Sequence, residues 1–347
     1  MKKLLTLLLS AIVLAFSVFA VGCSQAPGNP PQNPSDFNIY TPDGAPALAL
    51  SKLMVENETL GVDAKYNVVN ATNIRDYIVN GSADIAILPI TAASKLCGTG
   101  TNYKMIASVT NGNLFVIGKG TGTTLADLVG KKVAVANLAD FPGIAFRALL
   151  NNNDIEFTTI NDTDSAVSGK VSLVGIAGNA VKASLDAYDY VVAPQPVATV
   201  AVNSTAGASV LMDIQQLWGG NMVQAVAVVK NTHYNNTTLI HKFLKAVAKT
   251  TNSWLLENKT DAVNAINANF VGGASSTLNA NTLNAQSIAG SNIKVVTAIS
   301  ADFGANDNYT ILSKSHLETA VNNIINSFAA LNLTPSPVDT NISGLLW

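Results

Sequence analysis

Charge is what this sequence has least of. Asp, Glu, Lys and Arg make up 12% of the 347 residues, well below the quarter usual in a soluble domain. Arginine occurs only at Arg75 and Arg147, and the formal net charge is −2. So few cations assemble no basic face, which excludes nucleic acid as a partner. Histidine occurs three times, at His233, His241 and His316, and cysteine twice, at Cys23 and Cys97. The chain has no metal-ligand spacing, no Ser/His/Asp order and no Walker-type phosphate loop, so the sequence implies no enzyme and no cofactor. Cys97 reads as a small core hydrophobe rather than half of a disulfide. Hydrophobic residues, by contrast, are 48% of a chain long enough for two domains with cores of their own.

Residues 1–22, MKKLLTLLLSAIVLAFSVFAVG, join a lysine pair to an apolar run and then to small residues. That is a secretory signal, too short and wrongly flanked for a membrane helix. Ala20-Val21-Gly22-Cys23 resembles a lipobox, in which cleavage leaves the Cys23 thiol for a diacylglycerol; Leu is commoner than Ala at its first position. Residues 23–36 form a Pro/Asn/Gly tether, SQAPGNPPQNPSD after the cysteine, with no apolar face to bury. A lipid, a leash and a folded body predict a protein anchored at the extracytoplasmic face of a bacterial membrane. Loss of Lys2 and Lys3 with the signal takes the net charge from −2 to −4.

The folded body is organised around Phe37 to Leu53, FNIYTPDGAPALALSKL. Alternating Phe37-Asn38-Ile39-Tyr40 predicts a strand, Thr41-Pro42-Asp43-Gly44 a turn, and Ala45 to Met54 a helix with Pro46 in its first turn. Such a turn aims free backbone N–H groups at one point, where α/β folds bind ligands. The unit recurs. Strands are predicted at 65–69, 83–88 and 103–110, with helices opening after Asn70-Ala71-Thr72 and at Pro89-Ile90-Thr91. A fifth strand, 113–117, follows Asn111-Gly112. The rhythm then restarts with a short helix at 125–128 and a strand at 133–136. The turn from Asn137 to Gly143 follows, then a helix from about Gly143 to Leu150. Further strands are read at 155–160, 190–193 and 209–212, with a helical stretch at 178–188. The apolar run 224–229 reads as a lone return strand. Helices at 236–257, 260–270 and 279–289, a strand at 293–296 and a closing helix at 315–331 complete the chain.

The segments NIYTPDGAPALAL, GSADIAILPITAASKL, NLFVIGKG with LADLVGKKVAV, and YDYVVAPQPVATVAV stand in an order that resembles the substrate-binding lipoproteins of ABC importers. The branch is the one with thiamine-precursor, sulfonate, nitrate and riboflavin binders, and the resemblance spans roughly residues 37 to 335. It implies an α/β chain of type II periplasmic-binding-protein architecture. That means two lobes, each a doubly wound, mainly parallel sheet, joined by two crossover strands. The first lobe is then discontinuous, 37–118 with 222–347, and the second is 119–221. The implied partners are a small molecule and the permease subunits of the transporter, served by a monomer. Gln195 stands where many relatives carry Glu, so a charged contact there does not carry over.

The ligand-facing candidates come from the strand-to-helix turns: Asp43, Gly44 and Ala45; Asn70 and Thr72; Pro89, Ile90 and Thr91; Asn111 and Asn113; Asn137, Asp140, Phe141 and Gly143; and Gln195. Asp43 and Asp140 read first as helix caps and second as ligand carboxylates. Phe141 reads first as core or lip and second as a stacking surface. Arg75 and Arg147 fall a turn inside their helices, which leaves no bidentate clamp for an anion. The polar set of Asp, Asn, Thr and Gln leans towards a neutral or weakly cationic heterocycle, such as a thiamine pyrimidine precursor. An anion binder of the same fold is the alternative. A pyrimidine-precursor synthase or a menaquinone-pathway enzyme of that fold would be the alternative of another class.

Overall fold

A computed structural model describes residues 36–97, 102–220, 222–271, 273, 275–333 and 345. Residues 1–35, where a signal and most of a tether are expected, Cys23 included, lie outside the described residues.

The body begins with β1 (Phe37–Pro42), α1 (Ala45–Glu56), β2 (Ala64–Val69), α2 (Ile74–Val79), β3 (Ile85–Pro89), α3 (Ile90–Cys97) and β4 (Tyr103–Thr110). β5 (Leu114–Gly118), β6 (Lys132–Ala136), α4 (Phe141–Asn152), β7 (Phe157–Thr159) and β8 (Val171–Ile176) follow. Next come α5 (Val181–Ser184), β9 (Tyr190–Pro194), α6 (Val197–Asn203), β10 (Ser209–Asp213) and α7 (Ile214–Leu217). β11 (Ala225–Lys230) leads to α8 (Thr237–Ala248), α9 (Asn252–Glu257), α10 (Lys259–Ala268) and α11 (Ala285–Gly290). β12 (Ile293–Thr297), β13 (Tyr309–Ile311) and α12 (Lys314–Ala329) close the chain.

These strands make two sheets. The first has the order β13-β12-β4-β11-β3-β1-β2, and the second β10-β5-β9-β6-β8-β7. The α/β architecture expected from the sequence is present, with one qualification: both sheets are mixed. β1, β2 and β3 run parallel, but β11 enters antiparallel between β3 and β4, and β12 pairs antiparallel with β4. In the second sheet β6 to β9 are parallel, while β5 is antiparallel to both β9 and β10. The sequence reading ran the first lobe to residue 118. β5 instead hydrogen-bonds within the second sheet, so the chain passes between sheets at the Asn111–Asn113 turn and returns ahead of β11.

Burial explains the central strands. All six residues of β1 are buried, as are the first five of β11, because helices cover both faces. Ile85 and Ile87 of β3 pack with Leu48 and Leu50 of α1 and Phe243 of α8, whereas Ala86 and Leu88 face the other way. That second core is continuous with one face of the other sheet, through Val133, Val135 and Leu173, and α12 lies on it with Val321, Ile324 and Phe328. α12 packs on both α3 and α4 and so spans the two sheets. Cys97 is buried in this core and bears no disulfide.

Several elements differ locally from the sequence reading. The stretch 236–257 is two helices, because the Thr251 hydroxyl accepts from the Trp254 N–H and starts α9 afresh. The span 178–188 holds a three-residue helical turn, Gly178–Ala180, and the single turn α5. α6 opens after Gln195-Pro196, where the strand-to-helix turn was read without bounds for its helix. β8 and β13 were unread; β8 lies between β6 and the edge strand β7.

Candidate ligand site at the junction of the two sheets

The predicted turns separate into three groups according to what their side chains touch. In the first, Asp43 is neither a cap nor a free carboxylate. The residue preceding α1 is Gly44, with φ +94°, and no side chain caps that helix. Asp43 instead accepts from the Ser276 hydroxyl at 2.6 Å, and from the Thr277 N–H and hydroxyl at 2.7 and 2.8 Å. Ala45 is buried beneath it, while Asn70 and Thr72 are exposed. The segment after α10 covers this end of the sheet, with the Val271 N–H donating to the Val68 carbonyl at 2.8 Å.

The second group is the turn before α4. Asp140 stands at the N-cap position, exposed, without a side-chain bond to the helix. Phe141 is 5% exposed and meets Phe328 edge-on at 5.8 Å, so it belongs to the core rather than to a stacking surface. Arg147, 9% exposed, donates from Nε to the Gly143 carbonyl at 3.0 Å and from a terminal nitrogen to the Leu138 carbonyl at 2.9 Å. Burial lowers its pKa from the usual arginine value. Gly143 is required by closeness, since a Cβ there would lie 2.0 Å from the Leu138 carbonyl oxygen. Asn137, with φ +51°, holds the left-handed position at which that loop leaves β6.

The third group joins both sheets. The Ile90 N–H donates to the Gln224 carbonyl at 2.8 Å, and the Gln224 N–H to the Thr110 carbonyl at 3.2 Å. The Gln224 amide nitrogen donates to Asn113 Oδ1 at 2.8 Å, and Asn113 Nδ2 donates to the Gln195 carbonyl at 3.2 Å. The Gln195 N–H returns a bond to the Asn113 carbonyl at 2.8 Å, and Gln195 Oε1 accepts from the Thr199 N–H at 3.2 Å. The carboxyl ends of β3, β4 and β9, drawn from both sheets, therefore meet at one polar junction. Asn111 ties in β12, donating to the Lys294 carbonyl at 2.8 Å. Gln215 Oε1 accepts from the Leu114 N–H at 2.6 Å, and its amide nitrogen donates to Asp213 at 3.0 Å. Gly112 allows this approach, because a Cβ there would sit 2.2 Å from Gln215 Cγ.

Of the predicted residues, this junction unites Ile90, Asn111, Asn113 and Gln195, with Pro89 and Thr91 flanking Ile90. Asp43, Gly44, Ala45, Asn70 and Thr72 belong to the first group, and Asn137, Asp140, Phe141 and Gly143 to the second. Sequence reasoning missed Gln224, Gln215 and Thr110. Gln224 was read as the flank of an apolar strand, and its position one residue before β11 was the only available signal. A surface depression lined by Asn151, Asp154, Ile155, Glu156 and Phe157 lies at the far end of α4 from these turns.

No family model and no curated protein matches the sequence. Solved structures do match it. An ABC transporter structure from Parabacteroides distasonis superimposes with a TM-score of 0.63 at 14% identity, covering 90% of this chain and 99% of that one. The periplasmic aliphatic sulphonate binding protein SsuA from Escherichia coli gives a TM-score of 0.63 at 13% identity, with 91% and 92% covered. The fold is that of a periplasmic binding protein. The alkanesulfonate-binding protein SsuA from Xanthomonas axonopodis pv. citri, bound to MOPS, is similar at a TM-score of 0.58 and 13% identity, over 91% and 99% of the two chains. Identities this low carry the binding-protein fold and leave the ligand open.

Proposed function

We propose that the protein is an extracytoplasmic solute-binding protein that captures a small organic molecule and delivers it to an ABC permease. The observation that carries the reading is the convergence of strand ends from both sheets on Gln224 and Asn113. Sites for small molecules form where α/β strands end and two layers meet. In this reading the lobes are 37–118 with 222–347, and 119–221; the pairing of β5 with β9 and β10 favours a first boundary nearer Asn111–Asn113. The chain is a monomer tethered by lipid at Cys23.

The ligand class proposed is a neutral or weakly cationic heterocycle, of which a thiamine pyrimidine precursor is the model. Support comes from the charges that the fold has already spent. Arg147 is bound to two backbone carbonyls, and Asp43 to Ser276 and Thr277. The similarity to sulfonate-binding proteins favours a second reading, an anion held by backbone N–H groups. Thermal-shift screening against vitamins, their precursors, sulfonates and nitrate separates the two. A ligand at 100-fold over its dissociation constant stabilises the fold by about 2.7 kcal/mol.

A further inference from the structure

The orientation of one side-chain amide at the junction is dictated by the backbone. The Gln195 carbonyl only accepts, so the Asn113 atom 3.2 Å from it is the amide nitrogen. Asn113 Oδ1 is then the acceptor facing Gln224, and the Gln224 atom 2.8 Å away has to be the donor Nε2. What remains of the Gln224 side chain is Oε1, a buried acceptor with no partner in the protein. On the adjoining strand the Thr110 hydroxyl is also buried without a partner, and Thr110 as a whole is 0% exposed. The two residues are neighbours, joined by the Gln224 N–H bond to the Thr110 carbonyl at 3.2 Å. Buried polar atoms that lack partners are few in native folds and call for an explanation. Here two such atoms belong to Thr110, at the end of β4, and to Gln224, just before β11, where the sheets meet.

We propose that Gln224 Oε1 receives a hydrogen-bond donor, an N–H or O–H, from an uncharged solute bound at the junction, and that the Thr110 hydroxyl bonds the same solute. This rests on the solute-binding reading and names the chemical class of the ligand. Gln224 Oε1 can only accept, and the relay through Asn113 prevents the amide from turning over without breaking two bonds. A donor-free anion such as a sulfonate would set oxygen against oxygen there. An aminopyrimidine, a lactam or a flavin edge offers the donor that the pair lacks, and the hydroxyl of Thr110 serves an adjoining acceptor or donor alike.

The test uses the full chain as wild type, Thr110→Val and Gln224→Met, with calorimetry and thermal melts. The donor-bearing probes are 4-amino-5-hydroxymethyl-2-methylpyrimidine, cytosine and riboflavin; the donor-free probes are methanesulfonate and nitrate. The expected result is binding of at least one donor-bearing probe and of neither anion. That binding should weaken about three- to tenfold in each variant, the worth of one hydrogen bond. Thr110→Val should leave the melting temperature of the ligand-free protein unchanged or raised, because the hydroxyl it removes has no partner. A purely structural threonine would do the opposite. Binding confined to the anions overturns the donor assignment and leaves the solute-binding reading standing; no binding by any probe overturns both. Unchanged affinity in the variants, the outcome if a buried water satisfies Oε1, overturns the assignment alone. Should Gln224→Met fail to fold, Thr110→Val decides.

Discussion

Asp43 and Thr277, 234 residues apart in the chain, are joined by two hydrogen bonds, from the Thr277 N–H and hydroxyl to Asp43 Oδ2 at 2.7 and 2.8 Å. With the Ser276 hydroxyl on the other oxygen, they fix the segment after α10 over the end of β1. Asp43→Asn leaves one acceptor oxygen for three donors. The substitution should lower stability by about 1–2 kcal/mol, as charge-assisted bonds are lost. Urea unfolding checks this. A silent substitution would mean that the bonds contribute nothing, and lost ligand affinity with unchanged stability would return Asp43 to the binding site.

Arg147 and Gly143 hold the second-sheet turn by a bond and by an absence. Arg147→Met strands the part-buried Leu138 carbonyl, while the Gly143 carbonyl keeps its helical partner, and should cost about 1–3 kcal/mol. Gly143→Ala should cost roughly 3 kcal/mol, because its Cβ would meet the Leu138 carbonyl and the loop cannot yield cheaply. Neither should respond to added sulfonate, since in this account the guanidinium is committed to the backbone. Rescue of Arg147→Lys by sulfonate binding would contradict that commitment.

How much of this was legible beforehand depended on where each partner lay in sequence. The opening strand, turn and helix were readable because Phe37 to Met54 carries its own periodicity and turn residues. The α/β class followed from the same local signals. β8 was missed because Ser172 and Gly175 interrupt its apolar run, although Val171 to Val174 are all buried. The roles of Asp43 and Arg147 were beyond local reading. Asp43 finds its donors after α10, and the carbonyl of Leu138 turns towards Arg147 only once Gly143 lets the loop close. Gln224 looks like any polar residue flanking a strand until β11 is placed between β3 and β4.

Buried phenols, Tyr66 and Tyr188 among them, predict the alkaline limit of the fold. Burial, with a smaller effect of the Glu58 charge, pushes the Tyr66 pKa up to about 12. Burial and the bond to Asp162 do the same for Tyr188, also to about 12. A phenol with a higher pKa folded than unfolded, where it is about 10, holds its proton more tightly in the native state. Its contribution is whole below about pH 10 and disappears as pH rises through about 12. The Tyr66 hydroxyl is moreover buried without a partner. Tyr66→Phe should raise stability at neutral pH by about 1 kcal/mol and flatten part of the loss above pH 10. Equal alkaline transitions in wild type and variant would refute the assignment.

At the other end of the chain, Cys23 is expected to be the lipidated first residue of the mature protein. Metabolic labelling with a palmitate analogue should mark the wild type and spare Cys23→Ser. Equal labelling of both would remove the anchor from the account.

The central claim is that a small molecule binds where the carboxyl ends of β3, β4 and β9 meet. The most direct measurement is a crystal structure of the protein with the best stabiliser from the thermal-shift screen. The account predicts density against Gln224 and Asn113, between the two sheets. Density in the depression at Asn151 to Phe157, or anywhere else on the surface, with the junction empty, would contradict it.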